Sequence, residues 1–343
     1  MKRKVLIAAG GTGGHLLPAQ QLAALLQEQG IEVVFAGYKL DRSPYFQREK
    51  FRFEEVASAP LREKGWVRAC LRGVWQAVRV LFRERPCAVV GFGSYHAAPI
   101  LLAAALLGKK LILYEPNLVM GKVNRLLAPF AKKIAVQFPG KRSKKFVPIP
   151  LFPWTCPKPV DPKTARRELG LEPEKQTILV FGGSQGASFF NEKIPAVASA
   201  LGTVQIIHLA GSEEAAKLVR SLYAEQGISA VVKAFESNMP LAYSAADFAI
   251  CRSGAGTMAE LIRWSVPALL IPYPYAADDH QRHNAEFLSQ LGGAMTLLQS
   301  HAAEKAIVKK IQAADWTSMK LALRLLEEQN RNRMEFAALV NSL

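Results

Sequence analysis

The chain has 343 residues, half of them hydrophobic, and carries 44 Lys/Arg against 28 Asp/Glu for a net charge of +16. That length and apolar content suffice for two cores of ordinary size. The four cysteines, Cys70, Cys87, Cys156 and Cys251, are scattered without a C-x-x-C pair, which gives neither a zinc site nor a disulfide framework and fits a reducing compartment.

In chain order, a basic start precedes only five apolar residues before Gly10, too short for a secretory leader. An expected strand over 4–9 runs into Gly10-Gly11-Thr12-Gly13-Gly14-His15. A glycine turn between a buried strand and a helix lets backbone N–H groups and the helix's positive end approach an anion. Two common glycine-loop readings fail here. Dinucleotide binding wants G-x-G-x-x-G, but counting from Gly11 the third glycine position is Leu16, and the second strand, over 31–36, ends in Gly37 rather than an acid. There is no G-x-x-x-x-G-K-[S/T] either.

Residues 61–85 place Trp66, Val67, Cys70, Leu71, Val74, Trp75, Val78, Leu81 and Phe82 at helical spacing, with seven Lys/Arg between them. Such a helix either lies in a lipid headgroup layer or packs on a core with a solvated basic face, and the pattern alone fits both. An expected strand over 87–91 leads into another glycine turn, Gly91 to His96, and one over 111–114 puts Glu115 and Asn117 at its carboxyl end. That edge is where open α/β sheets bind ligands. The apolar run 97–107 is far short of the ~20 residues that span a bilayer, so a soluble chain is expected. A strand over 133–136 and a basic cluster, with Lys132, Lys133 and residues 141–145, close this half. The proline-rich stretch 147–162 can continue neither a helix nor a central strand and is the expected linker.

The second half repeats the grammar. A strand over 177–181 enters Gly182-Gly183-Ser184-Gln185-Gly186, and further strands are expected over 204–209, 230–235, 247–251 and 268–272. After 247–251 comes a small-residue turn, Arg252 to Thr257, then a helix carrying Glu260. Such a turn can seat a phosphate while the carboxylate accepts two vicinal ribose hydroxyls. Polar side chains between Pro272 and Asn284 follow the last of these strands, and 319–343 reads as helical. The alternation is doubly wound parallel α/β, twice. The charge excess belongs to one half: residues 1–150 hold 25 Lys/Arg and 9 Asp/Glu, residues 151–343 hold 19 of each. A field of that sign draws polyanions or an anionic membrane surface.

Taken together, Gly10 to His15, Gly91 to Tyr95, Gly182 to Ala187 with Asn191, Cys251 to Ala255 with Glu260, and Asp279-His280-Gln281 with Asn284 resemble the MurG family. These are the peptidoglycan N-acetylglucosaminyltransferases that convert lipid I to lipid II. The resemblance runs from about residue 4 to about residue 297, in the family's order and spacing. It implies a GT-B glycosyltransferase, two Rossmann-like domains facing a cleft. The expected boundaries are 1–146 for the acceptor- and membrane-binding domain, 147–162 for the linker, 163–318 for the UDP-GlcNAc domain, and a helical segment 319–343 packing back on the first domain.

Carried over by residue, the resemblance implies that Glu260 binds the ribose and the backbone around Phe235 and Met239 the uracil. Ser184, Gln185, Arg252, Ser253 and Thr257 would surround the diphosphate, and Gln281 with Asn191 would read the sugar hydroxyls. Thr12, Gly13, Gly14, His15, Tyr95, Glu115 and Asn117 would face the acceptor. An inverting transfer needs a base for the muramyl 4-hydroxyl; His15 is the first candidate and Glu115 the second, with phosphate binding as the rival role for His15. Trp66, Trp75 and Phe82 would form the membrane patch. No cofactor is expected to be required. No D-x-D pair adjoins the expected diphosphate site, so a divalent cation has at most an assisting role with no dedicated site. Expected partners are UDP-GlcNAc, lipid I, anionic inner-leaflet lipids and other cell-wall synthesis or division proteins, with no nucleic acid. The expected location is the cytoplasmic face of the bacterial inner membrane.

Two departures stand out. The family's G-N-P-V-R is here Pro148-Ile149-Pro150-Leu151-Phe152, without the arginine that approaches the diphosphate, and Tyr114 stands where the family usually has histidine. Arg142, Lys144 and Arg252 are the candidates to compensate. Alternatives are a lipid glycosyltransferase with another acceptor, such as diacylglycerol, a UDP-GlcNAc 2-epimerase-like enzyme, and a basic nucleic-acid-binding protein. The acceptor-side glycine motif, the basic amphipathic helix and the lack of a nucleic-acid recognition motif argue against them in turn.

Overall fold

The structure, a computed structural model, describes residues 3–60, 63–138, 143–151, 159–183 and 188–342. The chain divides into two compact units, Met1–Phe152 with Asn332–Leu343, and Pro153–Arg331. The first comprises β1 (Lys4–Ala8), α1 (Gly13–Glu28), β2 (Glu32–Gly37), β3 (Phe53–Glu55), α2 (Trp66–Glu84), β4 (Ala88–Gly91), α3 (Ala98–Leu106), β5 (Leu111–Glu115), α4 (Lys122–Leu127), β6 (Lys133–Val136) and β7 (Phe146–Pro148), and a terminal helix, Phe336–Asn341. Its strands pair in parallel in the order β3-β2-β1-β4-β5-β6-β7. The Val/Ile/Leu-rich central strands are buried almost throughout, as expected where helices cover both faces of a parallel sheet.

The second unit runs α5 (Pro162–Glu168), β8 (Gln176–Phe181), α6 (Ser188–Val197), β9 (Val204–Leu209), α7 (Glu213–Glu225), β10 (Ala230–Lys233), α8 (Met239–Ala245), β11 (Phe248–Cys251), α9 (Ala255–Trp264), β12 (Ala268–Leu270), α10 (His280–Gln290), β13 (Ala294–Thr296), α11 (Glu304–Gln312) and α12 (Trp316–Arg331). Its sheet, β10-β9-β8-β11-β12-β13, is also fully parallel. Local chemistry starts the helices where expected. Asp161 accepts from Thr164 N with Pro162 in the first turn of α5, and Ser212 accepts from Ala215 N with Glu213 and Glu214 in the first turn of α7.

In both sheets the strand order reverses beside the first strand, between β1 and β4 and between β8 and β11. All four of those strands lead into glycine-containing turns at their carboxyl ends. Ligands of open α/β sheets bind at such reversal points.

Three strands were not expected from sequence, β3, β7 and β13, each of three residues and each at a sheet edge. Strand β7 corrects the reading of 147–162 as wholly linker, because Val147 and Pro148 pair with Ala135 and Val136. Proline is tolerated there because an edge strand leaves one side of its backbone without a ladder partner. The C-terminal stretch divides. Helix α12 packs on α9, while the terminal helix buries Phe336, Ala337, Leu339 and Val340 within the first unit.

Candidate active site

In the first unit, β1 delivers the glycine turn directly under β4's. A Cβ on Gly10 would lie 2.6 Å from His96 Cβ, and Gly11, at φ +90°, would bring one to 2.8 Å from His96 Nδ1. Only glycine fits either position, so the turn is moulded against the His96 ring. Thr12 and Gly14 are exposed around the start of α1, and Thr12 caps it with no side-chain bond; Gly13 is buried against Tyr45. Half-buried His15 follows, with Nδ1 2.7 Å from the Phe92 carbonyl. A carbonyl only accepts, so Nδ1 carries the proton and Nε2 is the basic nitrogen.

After β4, Gly93 and Ser94 are both left-handed, at φ +73° and +69°. Ser94 Oγ bonds His96 Nδ1 at 2.9 Å, and the Tyr95 ring lies 4.0 Å from the His96 ring. Burial, then the nearby charges of His15 and Lys39, push His96 down to about 4, so it is neutral at physiological pH. A left-handed serine is a strained residue, and such strain persists where surroundings fix it. Sequence reasoning missed His96 as the side chain on which the two turns are moulded; its only signal was its place in the third glycine turn.

At the end of β5, Glu115 is 3% exposed and accepts four N–H groups: Asn117 N at 3.1 Å, Asn117 Nδ2 at 3.3 Å, Gly121 N at 2.9 Å and Asn124 Nδ2 at 3.0 Å. Burial raises its pKa while these bonds work the other way. Both oxygens are occupied in holding the 116–121 turn, which makes Glu115 an organiser of that loop and not a second base.

In the second unit, Gly254 to Thr257 opens α9 at the carboxyl end of β11, and Gly254 caps it without a side-chain bond. Partly buried Glu260 accepts from the Tyr243 hydroxyl at 2.7 Å, and burial pushes its carboxyl up to about 7 against that bond. Phe235 is exposed beyond β10, and Met239 begins α8 behind a turn in which Glu236 accepts from Asn238 N at 2.7 Å. Gln281, in the first turn of α10, accepts from Tyr273 N through Oε1 at 3.0 Å. It follows Asp278 and Asp279, left-handed at φ 51° and 53°.

Asn191 is held by a buried chain. Its Nδ2 donates to Ala210 O at 3.0 Å and its Oδ1 bonds His208 Nε2 at 3.0 Å, while His208 Nδ1 bonds the Tyr223 hydroxyl at 2.9 Å. Burial drives His208 down to about 3, so it is neutral, and the Asn191 bond then makes Nε2 the protonated nitrogen.

Two donor-side expectations are corrected. Arg252 donates to the Ile271 and Pro272 carbonyls and to Gln299 Oε1, and its guanidinium stacks among Phe189, Phe190 and Tyr273. It braces β11 against the next loop, so its side chain neither binds the diphosphate nor replaces the missing arginine. Ser253 is fully buried, its Oγ donates to Gln281 O at 2.7 Å, and Asn284 Nδ2 donates to its carbonyl at 3.1 Å. The hydroxyl therefore ties two loops together, leaving the backbone as what the residue offers a ligand. Ser184, Gln185, Arg142 and Phe152 lie outside the described residues.

Comparison with known proteins gives the family and the fold. The glycosyltransferase family 28 N-terminal domain matches residues 5–136 and the family's C-terminal domain residues 177–342. A relative from Protochlamydia amoebophila, named UDP-N-acetylglucosamine–N-acetylmuramyl-(pentapeptide) pyrophosphoryl-undecaprenol N-acetylglucosamine transferase, is 39% identical over 91% of this chain and 87% of its own. One of the same name from Cupriavidus pinatubonensis is 35% identical over 94% and 93%. The crystal structure of Acinetobacter baumannii MurG superposes with a TM-score of 0.78 at 28% identity, covering 99% of this chain and 98% of that one. The chain belongs to the MurG family of glycosyltransferases. Its fold is accordingly GT-B, two Rossmann-like domains.

Tyr114, where the family resemblance leads to an expected histidine, lies in the core. Its ring is 2% exposed and stacks on Phe336 of the terminal helix at 5.5 Å and 25°. Its neighbour Phe92, in the turn after β4, packs on it at 4.9 Å while presenting the carbonyl that His15 Nδ1 meets.

Proposed function

We propose that the chain moves N-acetylglucosamine from UDP-GlcNAc to the 4-hydroxyl of the muramyl sugar of undecaprenyl-pyrophosphoryl-MurNAc-pentapeptide, converting lipid I to lipid II. The observation that carries this reading is the pairing of a glycine turn and helix start with a strand-order reversal in each sheet, along a chain aligned with MurG-type transferases over most of its length. The second unit takes the donor. Backbone N–H groups at the start of α9 meet the diphosphate, Glu260 the ribose hydroxyls, the backbone near Phe235 and Met239 the uracil, and Gln281 with Asn191 the sugar. The first unit takes the acceptor through Thr12 to His15, Tyr95 and the Glu115-organised loop carrying Asn117.

Inversion requires direct attack of the 4-hydroxyl on the anomeric carbon. His15 Nε2 takes the hydroxyl proton as the new glycosidic bond forms, and the bond to UDP breaks with its electron pair on the diphosphate. The Phe92 carbonyl fixes the tautomer and stabilises the resulting imidazolium. The leaving charge is met by the α9 amides and that helix's positive end.

The chain works at a membrane surface as a peripheral protein. Among the described residues no helix is long and apolar enough to span a bilayer. Helix α2 instead presents Leu71, Trp75 and Phe82 to solvent at 66%, 59% and 62% exposure, beside Arg68, Arg72 and Arg79, with Arg79 stacked 4.7 Å over Trp75. Aromatic rings interleaved with arginines suit an anionic headgroup layer. Transfer of radiolabel from UDP-GlcNAc to a lipid I analogue, with release of UDP, tests the reaction. Radiolabel that appears only as free sugar, or none transferred at all, overturns it.

A further inference from the structure

Tyr243 has no part in the transfer just described, yet it makes the one side-chain bond given to Glu260 among the described residues. Its ring is 1% exposed, stacks on Trp264 with centroids 5.5 Å apart and planes 24° apart, and meets Phe181 edge-on at 5.8 Å and 87°. Held by α8, β8 and α9 together, the phenol is locked, and its hydroxyl reaches Glu260 Oε2 at 2.7 Å. A carboxylate offers about four lone-pair sites, so one such donor fixes its plane while leaving acceptors for two more.

We propose that Tyr243 is the positioning residue of the nucleotide site: it fixes the Glu260 carboxylate so that the remaining lone pairs accept both vicinal hydroxyls of the uridine ribose. This rests on the reading of Glu260 as ribose anchor. The surroundings give Tyr243 a second effect. Burial favours the protonated form of Glu260, and the Tyr243 hydroxyl favours the charged one. Arg263 pairs with Glu327 of α12 at 2.9 Å, Arg282 of α10 pairs with Glu286 at 2.8 Å, and burial pushes the Cys251 thiol of β11 well above its ordinary range. Ribose hydroxyls donate, so they bind the charged carboxylate. UDP affinity therefore holds above the Glu260 titration and falls as pH drops through it.

The test is calorimetric binding of UDP and 2′-deoxy-UDP from about pH 5.5 to about 8.5, a span that brackets a carboxyl titrating near neutrality. The proteins are the unaltered chain, Glu260→Ala, Tyr243→Phe, and the chain with 3-fluorotyrosine at position 243. Tyr243→Phe should move the affinity midpoint to higher pH, weaken UDP at neutral pH on the order of tenfold, as expected for a hydrogen bond to a charged group, and narrow the preference for UDP over 2′-deoxy-UDP. Turnover at saturating donor should be unchanged while KM rises. The fluorinated phenol, nearly the same shape and a stronger donor, should move the midpoint to lower pH.

If Tyr243→Phe folds and leaves midpoint and preference unmoved while Glu260→Ala loses UDP, Tyr243 is a packing residue only and the proposal fails. If Glu260→Ala binds UDP as the unaltered chain does, the ribose-anchor reading itself fails and takes the proposal with it. Should Tyr243→Phe not fold, the fluorotyrosine protein decides, and an unmoved midpoint overturns the proposal.

Discussion

At the scale of single residues, the site is built from side chains fixed by backbone partners. His15 shows the principle: the Phe92 carbonyl at 2.7 Å decides which ring nitrogen is basic, a choice invisible in the motif Gly10 to His15. His15→Ala should lower turnover at least ~100-fold, the usual contribution of a positioned base, with UDP affinity nearly unchanged. Stopped-flow or radiolabel kinetics alongside UDP calorimetry check this. If turnover survives and only acceptor KM rises, His15 binds the acceptor's phosphate instead. Glu115 teaches the opposite lesson. Sequence makes it a candidate base because it follows a strand, but four N–H groups converge on it, so its work is to shape the loop.

At the scale of elements, α2 divides its apolar residues between two faces. Gly73, Ala77, Val80 and Leu81 are buried and Val74 and Val78 half-buried, while Val67, Leu71, Trp75 and Phe82 face outward. Trp66, at the helix start, is 37% exposed and belongs to the outer set. The broad stripe read from sequence thus splits, one edge packing on the core and the other exposed to solvent. Replacing Leu71, Trp75 and Phe82 with serine should leave circular dichroism and UDP binding intact, because none of the three is buried. It should release the protein from anionic vesicles in a sedimentation assay. Unaltered sedimentation would move the dock to another surface, with the basic residues Lys144 and Lys145 the next place to look.

At the scale of the whole molecule, two devices hold the first unit together. Glu84, 2% exposed in its side chain, bonds Lys4 Nζ at 2.9 Å, Arg52 Nη2 at 2.7 Å and Arg83 Nε at 3.1 Å, tying α2 to β1 and to the approach to β3. Burial works to raise its pKa, but the bonds from Lys4 and Arg83 and the charge of Arg52 outweigh it and leave it lowered. A depressed carboxyl stabilises the fold above its unfolded pKa and loses that contribution as pH falls through the folded one. Stability should therefore decline below about pH 4.5, the ordinary carboxyl range. Glu84→Gln should flatten that acid decline in denaturant titrations and cost on the order of 3 kcal/mol at neutral pH, the lower end for breaking a buried pair, because Arg52 and Arg83 are half exposed. The other device is the terminal helix. Phe336 is fully buried against Tyr114 and Phe92. Phe336→Ala should cost ~3–5 kcal/mol, read as earlier loss of hydrogen-exchange protection in β1, β4 and β5 with β8 to β12 unaffected.

By itself the sequence determined most of the architecture and the family. Long apolar strands such as β1, β5 and β8 can only be buried under helices on both faces, and glycine turns after them mark where a backbone must approach something closely. Those signals are local, which is why the strands and the glycine turns that carry His15 and precede Glu260 were legible. What only the tertiary structure decided depends on partners far along the chain. Strand β7 exists because β6 is there to pair with it, against the proline in its own sequence. Arg252 looks like a ligand until β12's end and Gln299 claim its donors, 19 to 47 residues away. Tyr114, near the end of a strand that leads to a ligand-binding edge, is a core residue because Phe336 of the terminal helix stacks on it. A side chain's type fixes what it can bond, but which partner reaches it first is a property of the folded packing.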